Sequence, residues 1–343
     1  MKGNFFLKMH TFEMRDFDPG MPGPGEVLVR NMAAGICGTD VHIYHGSKGS
    51  ADVTPPVVLG HEYSGIVEAV GEGVTTVKVG DHVTVDPNIY CGKCRFCRNG
   101  QKQFCENLTA IGVNRNGGFA EKSLLPESQV FAMNPEIGFE AMAMAEPLAC
   151  CIHGIEQVDI GSGDLVCVIG GGAIGLLLMQ LAKLRGAAKV IVSEPVAQRR
   201  DIAKQLGADG VLDPIGGGNL NDQLEALTGR RCADVVIEAV GKTIATQQAF
   251  DLADRGARLL LFSVPDLDAH FELPMFKLFN HELKIYGSFI NPDSHLQAVN
   301  LLNSGRINVA PMITHRFPLA QLEDAVKMQM SSESIKVLVL PQA

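Results

Sequence analysis

Four cysteines crowd into one short stretch, Cys91, Cys94, Cys97 and Cys105, spaced x2, x2 and x7. Thiolates at that density are the donor set of a tetrahedral metal site, and zinc accepts four of them with no position left open. An iron–sulfur cluster takes the same donors and is the competing metal. Gly92 and Gly100 let the short loops curl, and Lys93, Arg95, Arg98 and Lys102 offset the charge that four thiolates leave around one divalent ion. A closed site of this kind is structural. A second set of donors is scattered: Cys37 with Asp40, His42 and His45 behind it, the adjacent pair His61 and Glu62, and Glu146. A thiolate, an imidazole and carboxylates suit a catalytic zinc, which takes about three protein ligands and keeps one position for water or substrate. Residue types alone make that second grouping only suggestive.

A third pattern concerns phosphate. The run Gly170-Gly171-Gly172-Ala173-Ile174-Gly175 reads G-x-G-x-x-G and follows the apolar run Leu165–Ile169. The first glycine allows a tight turn, the second lets the backbone approach a pyrophosphate, and the third lets helix and strand pack closely. The helix that follows offers free N–H groups and a positive dipole end. Glu194 lies 24 residues after Gly170, where an acid accepts the ribose hydroxyls. A carboxylate there repels the extra phosphate of NADP, so NAD is the expected cofactor. The competing reading makes Glu194 a cap for the helix that starts at Pro195, and Arg199 and Arg200 keep NADP open.

These residues need positioning elements. From residue 1 to about 150 the chain reads as β-rich, with strands expected at Glu26–Asn31, Tyr63–Val70 and His82–Val85 between Gly- and Pro-rich turns. From about 160 to 288, short apolar runs alternate with helical patterns. The runs are Leu165–Ile169, Lys189–Ser193, Asp234–Ala239, Ala257–Phe262 and Leu283–Tyr286; the helical patterns include Ala173–Arg185 and Val196–Leu206. That alternation implies βαβ units, a parallel sheet and helices on both faces. The tail, 289–343, carries two amphipathic helical patterns, a final strand near Ile335–Leu340 and little expected chemistry. It is too small for a core of its own. It is therefore assigned back to the first domain, giving a discontinuous domain of 1–150 and 289–343 around a domain of 151–288.

Composition narrows the function classes. The chain has 343 residues, 46% hydrophobic and 20% charged, as in a soluble globular enzyme. Its net charge of −9 repels phosphate backbones, so nucleic acid is not an expected partner. No apolar window has the length of a membrane helix, and Met1 to Thr11 is short and polar for a signal peptide. A cytoplasmic protein is expected, with no membrane partner.

Taken in order along the chain, these motifs resemble a family. Gly60-His61-Glu62-x2-Gly65-x5-Gly71-x2-Val74, the Cys37 segment, the cysteine lobe and the glycine fingerprint are similar to those of the zinc-containing medium-chain alcohol and polyol dehydrogenases. The resemblance covers essentially the whole chain. It implies an α/β protein with a GroES-like β-rich catalytic domain and a doubly wound, parallel-sheet Rossmann domain. It implies two zinc ions per subunit. Cys37, His61, Glu62 and Glu146 would serve the catalytic one, and Cys91, Cys94, Cys97 and Cys105 the structural one. Glu62 matches a glutamate that ligates directly or through water. Asp40 would orient His61. Gly170, Gly172, Ile174, Gly175, Glu194 and Arg199 match positions that hold NAD. In the implied mechanism Thr39 takes the hydroxyl proton and passes it by way of the NAD ribose and His42 to solvent, while His45 belongs to a solvated loop.

The expected reaction is hydride transfer between a secondary alcohol and NAD. Glu146-Pro147-Leu148 and the short stretch between Gly46 and Gly60 point to the sorbitol and arabinitol branch, hence a polyol substrate and, by the same resemblance, a homotetramer. Two departures stand against a close sorbitol dehydrogenase, Ile43 in place of a substrate-facing tyrosine and Ile290 in place of an arginine. L-Threonine 3-dehydrogenase is the main rival, on Gly38-Thr-Asp-Val-His-Ile-Tyr44, Gly112-Val-Asn-Arg115 and Ile313-Thr-His-Arg-Phe317. Against it stand Asn88-Ile89-Tyr90 before the lobe and the lack of a clear cation for an amino-acid carboxylate. A 2,3-butanediol dehydrogenase between Ile43 and Ile290 is third. A non-catalytic NAD-binding relative is the remote alternative, disfavoured by the intact ligand sets.

Overall fold

The structure is a computed structural model that describes every residue except Lys48 and Ser50. The chain divides into two compact units, Met1–Ala149 with Ile290–Ala343, and Cys150–Phe289. The division falls inside the helix Ala145–Glu156.

The first unit is built on a seven-stranded sheet. Its order runs Val130–Ala132, His82–Val85, Glu62–Val70, Glu26–Gly35, Lys336–Leu340 and Ile313–Pro318, with Lys122–Pro126 also paired to Glu26–Gly35. Glu26–Gly35 is the hub. Antiparallel pairing sets Gly35 opposite Glu62 and, on its other side, opposite Leu338. The strand from the first half of the chain and the strand from the tail are thus brought together on one backbone. A smaller sheet joins Lys2–Lys8, Thr11–Asp16 and Val57–Val58. Its first two strands form a hairpin that apolar patterning did not single out, because Phe6 is the one large apolar residue buried in Lys2–Lys8 and no residue of Thr11–Asp16 is buried. The core of this unit gathers Val27, Val29, Tyr63, Val83, Phe119, Leu125, Val337 and Val339. Ile43 belongs to that core at 1% exposure.

The second unit is a six-stranded, all-parallel sheet. In space the strands run Gly210–Leu212, Lys189–Ser193, Leu165–Ile169, Ala233–Glu238, Ala253–Leu261, Lys284–Gly287, which is the order 3-2-1-4-5-6 of a doubly wound nucleotide-binding fold. All five residues of Leu165–Ile169 are buried, as a central strand covered on both faces requires. The expected helix at Ala173 ends at Leu184, and that at Val196 runs Ala197–Gln205. One strand begins earlier than its apolar run suggests. Ala253–Leu261 includes Asp254, Arg255 and Gly256, where the pairing register shifts. Among the described residues no helix is long and apolar enough to cross a membrane.

Candidate metal centres and dinucleotide cradle

Cys37 sits at the N-cap of the short helix Gly38–Tyr44. Its backbone N–H donates to Oδ2 of Asp40 at 2.9 Å. His61 ends a glycine turn and Glu62 opens the strand Glu62–Val70, so the two neighbours project from a fixed strand end. Donor atoms of Cys37, His61 and Glu62 all lie within 4.8 Å of one another. Asp40 is fully buried, and its Oδ1 stands 3.7 Å from Nδ1 of His61. Neither atom has a hydrogen-bond partner. A small closure would join them, fix the ring and leave Nε2 for a metal. Burial disfavours the His61 imidazolium, but the charges of Asp40, Cys37 and Glu146 outweigh it and hold its pKa well above the usual value. Burial raises the Asp40 pKa, while His61 and the Cys37 N–H act against the rise. A negative, desolvated environment around a thiol and an imidazole is what a divalent cation neutralises, so this donor set fits zinc. Glu146 is buried and acts on His61 through its charge, but it stands outside the three-residue cluster.

Lys336 is the residue the sequence did not flag, and the expectation of a tail with little chemistry fails here. It opens the final strand and is 3% exposed. Its ammonium pairs with Glu62 and donates to the Ile36 carbonyl at 3.0 Å. A lysine in an apolar run carries no sequence signal of partnership; only the strand pairing brings it beside Glu62.

Thr39 and His42 lie three apart on the helix Gly38–Tyr44, hence on adjoining faces, and both are partly buried. His45 is exposed and packs edge-on against His10 and Tyr44.

The four lobe thiols Cys91, Cys94, Cys97 and Cys105 also have their sulfurs within 4.8 Å of one another. Sulfurs around a tetrahedral zinc with Zn–S near 2.3 Å stand about 3.8 Å apart; Cys91 and Cys97 are 4.0 Å apart. Backbone N–H groups converge on the sulfurs, Cys91 on Cys105 at 3.3 Å, Cys94 on Cys91 at 3.4 Å and Cys97 on Cys94 at 3.5 Å. N–H donors from Lys93 and Cys94 bring the Cys91 thiol down to about 6, and those of Cys97 and Glu106 lower Cys94. Burial pushes Cys97 up to about 12, a cost that a bound cation removes. The lobe fits a closed zinc site. Two of the four cations expected to balance it are engaged elsewhere, Lys102 with Asp293 at 2.7 Å and Arg95 with Glu106 at 3.8 Å.

In the second unit the glycine run follows its strand directly. Gly170 has φ +103°, a conformation that strongly favours glycine. A Cβ on Gly175 would overlap the Gly170 carbonyl, whereas one on Gly172 would meet nothing within 4 Å. Close packing at the third glycine and open space at the second fit a pyrophosphate above the helix Ala173–Leu184. Ile174 is partly exposed in the first turn. Glu194, 3% exposed, accepts the N–H of Gly171 at 2.7 Å and of Val196 at 2.9 Å. It therefore both steadies the fingerprint and caps the turn before Ala197–Gln205. Arg199 lies in that helix, and Arg200 is committed to the Glu194 and Pro195 carbonyls and to Asp213. Glu238, at the end of Ala233–Glu238 on the other side of Leu165–Ile169, holds Val240 and Gly241 through Oε1 at 2.7 and 2.8 Å; it was not anticipated.

A thiolate–imidazole–carboxylate cluster, a four-thiolate lobe and a 3-2-1-4-5-6 dinucleotide fold define a zinc-dependent, nicotinamide-linked dehydrogenase. Family models agree, matching an alcohol dehydrogenase GroES-like domain over residues 23–135 and a zinc-binding dehydrogenase over 173–304. The chain belongs to the zinc-dependent medium-chain alcohol and polyol dehydrogenases. It is 35% identical to L-threonine 3-dehydrogenase of Caldanaerobacter subterraneus subsp. tengcongensis, over 93% of this chain and 92% of that one. It is 33% identical to sorbitol dehydrogenase of Halalkalibacterium halodurans, over 96% of each chain. Among solved structures it is similar to one from Sinorhizobium meliloti 1021, described as a zinc-binding dehydrogenase bound to NADP, with 38% identity, a TM-score of 0.92 and 99% of both chains covered.

Proposed function

We propose that this enzyme oxidises a secondary alcohol of a polyol of the sorbitol or arabinitol type, with NAD as hydride acceptor. The clustering of Cys37, His61 and Glu62 within 4.8 Å carries the reading. When bound, zinc acidifies a hydroxyl held at the site and NAD takes the hydride from the adjacent carbon, giving ketone, NADH and a proton. The chain's own residues do the rest. Asp40 orients His61, Thr39 accepts the hydroxyl proton, and His42, one turn further along the helix, passes it to solvent.

Two observations favour a polyol over threonine. Lys336, the cation in the metal cluster, is committed to Glu62 and Ile36, so it does not offer itself to an amino-acid carboxylate. Glu146-Pro147-Leu148 is the second. Threonine remains the rival reading because a relative of that name has 35% identity. NAD is favoured over NADP by the buried Glu194 carboxylate beside the fingerprint, although the Sinorhizobium relative holds NADP. None of the nine cysteines is paired in a disulfide, and a reducing cytoplasm is the compartment that fits this reading.

NADH absorbance in a panel of sorbitol, xylitol, arabinitol, galactitol, 2,3-butanediol and L-threonine, with and without chelator, tests the reading. A chelator-sensitive polyol signal supports it. A signal with threonine or butanediol alone replaces the substrate and keeps the chemistry.

A further inference from the structure

Arg115 is half-buried, and no carboxylate among the described residues balances its charge. Its guanidinium donates once, to the Leu124 carbonyl at 3.2 Å. The arginine lines a cavity of about 240 Å³ together with Phe17, Asp18, Pro19, Lys122 and Ser123. None of these residues belongs to either metal cluster. Lys122 is neutralised by Glu68, so Arg115 is the free cation of the cavity. Asp18 is its free anion: Oδ1 accepts the Gly20 N–H at 2.9 Å, and the carboxylate pairs with no cation among the described residues. Opposite charges that line one cavity without pairing leave room for a ligand that carries both. Asn116 lines the same cavity. The Val58 N–H occupies its Oδ1 at 3.0 Å, and its NH2 group has no partner. One wall is apolar, formed by Pro19 and by Phe17, whose ring is fixed edge-on against Phe5 at 5.2 Å.

We propose that this cavity binds a small zwitterion of the α-amino-acid class, with its carboxylate on Arg115 and its ammonium on Asp18. A guanidinium holds a carboxylate through two parallel, charge-assisted N–H bonds, and the Asn116 NH2 adds a third donor. The wall of Phe17 and Pro19 takes an apolar side chain. Both charged groups are set before the ligand arrives, Arg115 by Leu124 and Asp18 by Gly20, which lowers the ordering cost of binding. Asp18 repels a phosphate dianion, and a simple carboxylate leaves it unmatched. The proposal does not rest on the substrate reading, because the site shares no residue with the metal clusters.

Isothermal titration of the zinc-loaded protein with glycine, L-alanine, L-leucine and L-phenylalanine tests this, with acetate, n-butylamine and inorganic phosphate as charge controls. At least one amino acid is expected to bind at a single site per chain with a Kd of about 1 mM or tighter. The three controls should bind at least about tenfold more weakly, the scale of one lost charged hydrogen bond. Arg115→Gln and Asp18→Asn should each weaken the amino acid by about tenfold or more, with the zinc content of wild type. Asp18→Asn should leave acetate binding as it was or tighten it. Asp18 is exposed, so its variant keeps the test open if Arg115→Gln fails to fold. No saturable heat from any of the four amino acids at about 10 mM overturns the proposal. Binding that survives both substitutions also overturns it, and loss of that binding in Cys37→Ser would place the ligand at the metal cluster instead. Acetate or phosphate binding as tightly as the amino acids would make the cavity a general anion site and would equally end the zwitterion assignment.

Discussion

Thr39 and Glu194 are the two side chains whose proposed roles a single substitution separates from folding. Thr39 is partly buried near the N-terminus of its helix, and valine keeps its shape while removing the hydroxyl. Thr39→Val is expected to bind zinc and NAD normally and to lose turnover by about 10²- to 10⁴-fold, the range for a lost general acid–base group. Turnover within about threefold of wild type, on the scale of an ordinary surface change, would remove Thr39 from the proton path. Glu194 accepts two backbone N–H bonds, and glutamine retains one acceptor oxygen without the charge. Glu194→Gln should raise kcat/KM with NADP relative to NAD by about tenfold, equivalent to roughly 1.4 kcal/mol. An unchanged cofactor ratio would leave Glu194 as a cap and a brace for the fingerprint.

The cysteine lobe and the segment packed beside it act as elements. Cys94→Ser is expected to lower zinc from two to one per chain and to reduce thermal stability, as for a closed structural site. Metal analysis and a melting curve check both. Beneath the lobe, Asp86 accepts the Asn88 N–H at 3.0 Å and the Asn291 side chain at 3.4 Å, and Asn88 donates to Asn291 at 2.5 Å. These bonds pin the chain where it returns to the first unit at Ile290, whose φ of +48° is strained for a β-branched residue. Burial raises the Asp86 pKa from 3.8 to about 6; Asn88 and Asn291 act against the rise, Asp293 adds to it and Lys102 opposes it. The folded state therefore binds a proton between those values that the unfolded state does not. Its stabilising effect is present below the unfolded pKa and is lost as pH rises through about 6. Asp86→Asn should stabilise the protein at pH 8 by up to about 3 kcal/mol and much less near pH 4. Denaturant unfolding at the two pH values decides it; an equal effect at both would mean that Asp86 does not titrate in this window.

At the scale of the whole molecule, the second unit exposes apolar side chains on one helix, Met275 at 66%, Phe276 at 76% and Phe279 at 78%. The adjoining edge strand Lys284–Gly287 carries unpaired backbone groups. Exposed apolar surface beside an open sheet edge marks an association surface. The homotetramer expected from the family is tested by sedimentation. Wild type should sediment as a tetramer, and Phe276→Ser with Phe279→Ser should reduce the assembled mass at micromolar concentration. A wild-type monomer would end that expectation.

Much of this protein was legible without coordinates, for identifiable reasons. A central parallel strand must be continuously apolar, so Leu165–Ile169 and Lys189–Ser193 appear with the bounds the structure gives. Soft donors at x2, x2 and x7 meet in space because a chain that short leaves them little freedom, and the glycine run carries its turn in its composition. Edge and half-buried elements were less legible: the first hairpin alternates weakly, and Ala253–Leu261 begins in charged residues. Local sequence therefore determined the two-part fold, the four-thiolate lobe and the phosphate cradle. Tertiary structure alone decided what lies beside what across hundreds of residues. It set Asp40 against His61, locked Asn291 to Asp86, buried Ile43 in the core and placed Lys336 on Glu62. Such pairings depend on strand order and register, and no local pattern of residue types encodes which distant strand will become the neighbour.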